Sequence, residues 1–127
     1  FHSQKKWGEF EKIDFNEMLI REEFKEVMVA FDNYRTTEQF SVMWSKDKRA
    51  QQAYTDARAA LLKELCDLVY VVVGAAVIHK LPFDKAFELV HKNNMSKVDE
   101  NGVPQYNNEG KLIKPEGYTK VDLRELV

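Results

Sequence analysis

Two long stretches of this chain carry apolar residues at spacings of three and four, which is the period of one face of an α-helix. The first stretch covers about residues 15–34 and the second about residues 55–79. Asp14 and Glu17 form a capping-box pattern that predicts the start of the first helix. Pro82 predicts the first turn of a third helix, which ends near Asn93. These periods predict an all-α fold.

The connecting segments have a different composition. Residues 35–56 are polar around a small apolar island and predict a loop that contains a short helix. Beyond Asn93 the chain is rich in glycine, proline and asparagine, and residues 103–106 and 111–113 predict a small hairpin. We therefore expect one domain over residues 1–127, built as a three- to four-helix bundle with an irregular C-terminal tail. The core covers about residues 14–94 and the tail about residues 95–122.

Composition excludes several classes of protein. Lys and Arg number 19 against 21 Asp and Glu, and the net charge of −2 disfavours a nucleic-acid binder. A single cysteine excludes an internal disulfide framework and a cysteine-built zinc site. The longest apolar run, residues 68–78, is shorter than the roughly 20 residues of a membrane-spanning helix. Residues 1–8 lack the apolar segment of a signal peptide, so we expect a cytoplasmic protein.

Acidic residues interrupt the apolar face of both long helices. Glu23 and Glu26 fall in the stripe that continues from Leu19, and Glu22 lies beside them. Glu64 and Asp67 occupy the corresponding stripe of the second long helix. Buried carboxylates cost several kcal/mol each unless they are compensated, and several together repel one another. The pattern therefore predicts a counter-charge between the two helices.

Two kinds of counter-charge fit this pattern. One is a basic side chain that forms ordinary salt bridges on a solvated helix face. The basic residues nearby in the sequence are Arg21, Lys25, Arg58 and Lys63. The other is a hard divalent cation such as Mg²⁺, which prefers carboxylate oxygens and commonly binds substrate phosphates. A di-iron site is disfavoured, because Glu88-x-x-His91 has no second copy in the chain.

Four segments stand out in order along the chain: LIREEFKEV (19–27), KELCDLVYVVVG (63–74), VHKNNMSK (90–97) and GKLIKPEGY (110–118). Together they resemble the MazG-like nucleoside triphosphate pyrophosphatases. The superfamily is all-α and includes phosphoribosyl-ATP pyrophosphohydrolase and the dimeric dUTPases. The sequence departs from the pattern between Glu26 and Glu64, where 37 residues exceed the usual length. The extra residues fall at about 37–56.

The resemblance implies hydrolysis of a (deoxy)nucleoside triphosphate to the monophosphate and pyrophosphate, with Mg²⁺, or Mn²⁺ in its place, activating the water. The implied metal ligands are Glu23, Glu26, Glu64 and Asp67. Glu22 or Glu23 is implied as the general base. The implied substrate-binding residues are Asn94, Lys97, Lys111, Lys114 and Tyr118.

The resemblance also implies a homodimer or a dimer-of-dimers tetramer, with a nucleotide substrate as partner. The net charge and the short apolar run argue against nucleic acid and a membrane as partners. A second hypothesis is a catalytically silent helical module that oligomerises or binds a partner. It rests on the apolar segment 68–78, which is more hydrophobic than a solvent-facing helix requires. Binding of Mg²⁺ and a nucleotide would separate the two hypotheses.

Overall fold

The computed structural model describes residues 7–98 and 101–127. Within these ranges the chain forms three α-helices, α1 (Glu9–Met43), α2 (Lys48–Ile78) and α3 (Phe83–Met95), and a 3-10 helix at Arg124–Leu126. The described residues form no strand longer than an isolated bridge, and the all-α prediction is confirmed. Residues 1–6, most of the segment searched for a signal peptide, lie outside the described residues. No helix in the described ranges is long and apolar enough to cross a bilayer.

Helix α1 is longer at both ends than the sequence predicted. It begins at Glu9 after Gly8, so Asp14 lies inside the helix and the predicted N-cap at Asp14 is wrong. At the other end it continues to Met43 through residues predicted as a loop. These residues are polar because they form a solvated helix face, on which Arg35 pairs with Asp32 at 2.8 Å. Polarity was therefore a misleading sign of a loop.

Helix α2 also begins earlier than predicted, at Lys48, so the predicted loop with a short helix is wrong. Only residues 44–47 separate α1 from α2. Asp47 caps the second helix, since its Oδ1 accepts the backbone N–H groups of Arg49 at 2.8 Å and Ala50 at 3.3 Å. The extra length of this region is thus an extension of two helices and not an inserted loop.

The short turn makes α1 and α2 antiparallel neighbours. Near the turn, Gln51 Nε2 donates to the Ser41 carbonyl at 2.8 Å, and farther along the Tyr34 and Tyr54 rings stack with centroids 5.7 Å apart. The buried apolar residues of this pair are mostly small, which lets the two helices approach closely. They are Val27, Ala30, Ala57, Leu61 and Ala76.

The chain divides into two compact units, Phe1–Ile78 and His79–Val127. The first is the α1–α2 pair, and the second contains α3 and the tail. Helix α3 begins directly after Pro82, as predicted, and ends at Met95. The predicted hairpin is present only as isolated antiparallel bridges, Val98 with Pro104 and Tyr106 with Leu112.

Candidate metal centre

Three carboxylates from the two long helices converge in the first unit. Glu23 and Glu26 lie three residues apart on one face of α1, and Glu64 faces them from the antiparallel α2. One oxygen from each side chain lies within 4.8 Å of the others. The short turn sets this register, because it places the middle of α1 beside the middle of α2. This part of the predicted acidic cluster is therefore brought together by the fold.

Two of these carboxylates carry an oxygen that has no hydrogen-bond partner among the described residues. Oε2 of Glu23 and Oε2 of Glu64 are shielded from solvent and accept no hydrogen bond from that part of the chain. The Glu64 side chain as a whole is only 19% exposed. A buried charged oxygen without a partner is costly, and several such oxygens close together repel one another. A divalent cation bound by these oxygens would give each buried oxygen a partner and would offset the repulsion between them. The donor set therefore fits a metal such as Mg²⁺.

Asp67, the fourth predicted ligand, follows Glu64 on α2 but has a different partner. Lys63 Nζ lies 2.8 Å from Asp67 Oδ2 and 3.5 Å from Glu64 Oε1. The hydrogen bond to Asp67, helped by the charges of Asp67 and Glu64, raises the pKa of Lys63. Lys63 therefore connects Asp67 to the edge of the cluster of three.

Two of the other basic residues considered as counter-charges contact different groups. Arg21 pairs with Glu17 at 2.9 Å, one helical turn back along α1. The Arg58 guanidinium lies 5.7 Å from the centre of the Tyr54 ring. Lys63 is the one basic side chain that forms an ion pair with the cluster among the residues the structure describes. Glu22, the outer member of the acidic triplet, is exposed on α1 and outside the group of three.

The predicted substrate-binding residues all belong to the second unit. Lys97 and Lys114 place their ammonium groups 5.7 and 5.4 Å from the centre of the Tyr118 ring. Lys111 takes part in the tail through its backbone, whose N–H donates to Asn107 Oδ1 at 3.0 Å. Asn94 is an exposed residue of α3. Three of the five predicted residues therefore lie together, with the two lysines beside the Tyr118 ring.

Asn93 is a polar residue of this unit that the sequence did not single out. Its side chain contacts both Tyr118 and Thr119 of the tail through hydrogen bonds of 2.7 Å. Helix α3 ends at Met95, so Lys97 lies beyond the helix and helical spacing does not relate it to Asn93. The sequence carries no signal that distinguishes Asn93 from Asn94, which stands next to it in the chain.

A wide apolar cleft of about 1130 Å³ lies in the first unit, toward the beginning of α1 and the end of α2. Its walls include Phe15, Leu19, Tyr70 and Gly74. None of the three clustered glutamates lines it. This apolar cleft is therefore separate from the candidate metal centre.

The fold and the converging carboxylates define an all-α protein with a candidate divalent-cation site on a helix pair. A model of the phosphoribosyl-ATP pyrophosphohydrolase family matches residues 4–94, well over half of the chain. The chain belongs to this family, which is part of the MazG-like all-α NTP pyrophosphatase superfamily. No curated protein matches the chain.

Family membership defines the general reaction. The protein is a pyrophosphohydrolase that acts on a nucleotide, and thus a hydrolase of phosphoric anhydrides. Enzymes of this family are typically metal-dependent, in agreement with the acidic cluster. The match ends at residue 94, so Lys97, Lys114 and Tyr118 lie beyond it. Their roles must be argued from the chain itself.

Proposed function

We propose that the protein hydrolyses a nucleoside or deoxynucleoside triphosphate to the monophosphate and pyrophosphate with the help of Mg²⁺. The observation that carries this proposal is the convergence of three carboxylates, two of which keep a buried oxygen without a partner. Such a donor set suits a cation that also binds phosphate oxygens. The family's reaction supplies the bond that breaks, a phosphoric anhydride.

Glu23, Glu26 and Glu64 would hold the cation, with Asp67 joining them once its pairing with Lys63 is released. Bound Mg²⁺ would neutralise the triphosphate and lower the pKa of a bound water. Mn²⁺ accepts the same oxygen ligands and would substitute for it.

The remaining chemistry is proton transfer and positioning. Water attacks phosphorus and the anhydride bond between the α- and β-phosphates breaks, so that pyrophosphate leaves with the bonding electron pair. Glu22 or Glu23 would accept the proton of the attacking water. Because Glu22 is exposed and outside the cluster of three, it is free to act as a base without giving up a ligand position.

Residues of the second unit would bind the substrate. We propose Lys97 and Lys114 as phosphate contacts, since both are cationic and lie beside Tyr118. Asn94 is proposed as a nucleoside contact and Lys111 as a further phosphate contact, both on the resemblance alone. We further propose a homodimer or a dimer-of-dimers tetramer, because the α1–α2 pair exposes many apolar side chains. The cytoplasm is the proposed location.

A pyrophosphate-release assay tests the reaction. The substrates are the eight common nucleoside and deoxynucleoside triphosphates, together with phosphoribosyl-ATP, the substrate in the name of the matched family. We expect pyrophosphate from at least one triphosphate with Mg²⁺ and none in EDTA. If pyrophosphate is released from phosphoribosyl-ATP alone, phosphoribosyl-ATP replaces the triphosphates as the proposed substrate. Full activity in EDTA would contradict the role of the metal.

The second hypothesis, a silent helical module, keeps one supporting observation. Val69, Tyr70 and Val77 of α2 are 60%, 81% and 68% exposed in the isolated chain, as a partner-binding helix would be. Calorimetry with Mg²⁺ and a non-hydrolysable nucleotide separates the two functions. Binding of both supports the enzyme, and absence of binding by the folded chain supports the module.

A further inference from the structure

Asn93 connects the end of α3 to the C-terminal tail through both ends of its side-chain amide. Its Nδ2 donates to the Thr119 carbonyl at 2.7 Å, and its Oδ1 accepts the Tyr118 hydroxyl proton at 2.7 Å. A carbonyl oxygen can only accept, so the bond to Thr119 fixes which way the amide points. A single side chain therefore sets the position of Tyr118 relative to the helix.

The Tyr118 ring that Asn93 positions lies beside two ammonium groups. Lys97 Nζ is 5.7 Å and Lys114 Nζ is 5.4 Å from the ring centre. Neither lysine forms an ion pair with a carboxylate of the described residues. Each cation–π contact at such an exposed site stabilises only weakly. An anion with several charged oxygens is the ligand chemistry that suits two cations beside one ring.

We propose that Asn93 is the positioning residue of an anion site, in which Lys97 and Lys114, proposed above as phosphate contacts, lie beside Tyr118 and bind the polyphosphate part of a nucleotide. The identity of the anion rests on the proposed function, because pyrophosphate is its product. Asn93 uses its acceptor and one donor within the protein, so it acts through Tyr118 and not on the ligand itself. The positioning role is thus assigned to Asn93, whereas its neighbour Asn94 is proposed as a nucleoside contact.

Inorganic pyrophosphate without divalent metal is the probe, titrated calorimetrically into the full chain. Loss of a charged hydrogen-bond donor typically weakens binding by about tenfold or more, so Lys97→Met and Lys114→Met should each weaken pyrophosphate binding by about that factor. Lys120→Met is the matched control, since it removes the same charge from the tail and has no described contact with the ring. It should weaken binding by less than about twofold.

The role of Asn93 is tested by Asn93→Leu, Tyr118→Phe and the double variant. Tyr118→Phe keeps the ring and removes only the hydroxyl, so it should weaken pyrophosphate binding by about threefold. Asn93→Leu should weaken binding at least as much, and the double variant no more than Asn93→Leu, because both changes break the same hydrogen bond. Ring-current shifts of the ε-protons of Lys97 and Lys114 should shrink in both single variants.

Wild-type pyrophosphate affinity and unchanged lysine shifts in a folded Asn93→Leu chain would overturn the positioning role. If Asn93→Leu does not fold, the same two readouts in Tyr118→Phe decide the matter. A wild-type affinity no higher than that of the Lys97→Met/Lys114→Met chain would overturn the anion site. Because this titration needs neither metal nor turnover, its failure is distinguishable from failure of the proposed hydrolysis.

Discussion

At the scale of single residues, the chemistry depends on which carboxylates face one another. The resemblance implied four metal ligands on the two long helices, and the structure brings Glu23, Glu26 and Glu64 together. The spacing could not predict the partner of Asp67. Lys63 lies four residues before Asp67 and pairs with its carboxylate, which the proposed cation would otherwise bind. A choice between two neighbours on one helix face is made by side-chain rotamers, which the sequence pattern does not encode.

Glu26→Gln should weaken the stabilisation of the folded chain by Mg²⁺. A bound cation stabilises the folded chain by mass action, about 2.7 kcal/mol at a concentration one hundred times its Kd. With one ligand neutralised we expect Mg²⁺ affinity to fall at least about tenfold. The measurement is the rise in Tm on adding Mg²⁺, with Glu11→Gln as the matched control on the same helix. An equal rise in Glu26→Gln and wild type would contradict a ligand role for Glu26.

Lys63→Met should tighten Mg²⁺ binding. Lys63 is 67% exposed, so its pairing with Asp67 is weak, and its removal should raise Mg²⁺ affinity by about two- to fivefold. Calorimetric titration of Mg²⁺ measures the change. Lys25→Met, which removes an equal charge from α1, is the control and should have less effect. Weaker Mg²⁺ binding in Lys63→Met would show that Lys63 supports the site and does not compete for it.

At the scale of helices, the sequence predicted the existence of each element better than its ends. Asp14 and Asp47 are both followed by helix-forming residues, yet only Asp47 is a cap, because α1 already begins at Glu9, five residues before Asp14. The extension of α1 to Met43 could not be predicted from polarity, since an exposed helix face and a loop share that composition. Once the turn at 44–47 is known, the antiparallel register of α1 and α2 follows, and this register brings the carboxylates of the two helices together.

The small residues between α1 and α2 should be intolerant of enlargement. Ala57 is 1% exposed, so Ala57→Leu would force the helices apart and lower the free energy of unfolding by about 1–3 kcal/mol. Ala59→Leu, two residues later on the exposed side of α2, is the control and should change it by less than about 0.5 kcal/mol. Urea denaturation measures both. Equal effects would mean that Ala57 does not lie at a close contact.

At the scale of the whole molecule, the isolated chain exposes apolar surface that an assembly would cover. Tyr70 is 81% exposed beside other apolar residues of α2. Under the proposed oligomeric state, Tyr70→Glu should shift the chain toward monomer in light scattering coupled to size exclusion, because a buried charge is costly. Thr55→Glu introduces the same charge on an exposed part of α2 and should leave the mass unchanged. A wild-type chain that is already monomeric would contradict the oligomer.

The sequence and the structure account for different parts of the molecule. The all-α class and the family were accessible from spacing and resemblance, and both are confirmed. The role of Asn93 required coordinates, because its hydrogen bonds join residues about 25 positions apart through an irregular tail. Irregular segments carry no period from which such contacts can be predicted.

The most direct test of the account is phosphorus NMR of a triphosphate incubated with Mg²⁺ and either the wild-type chain or Glu64→Gln, with Glu11→Gln as the control. We predict that wild type and Glu11→Gln convert the triphosphate into monophosphate and pyrophosphate. Glu64→Gln should form neither product, because the cluster loses the charge that α2 contributes to it. Orthophosphate as the first product, or an unchanged rate in Glu64→Gln, would contradict the proposed role of the three carboxylates.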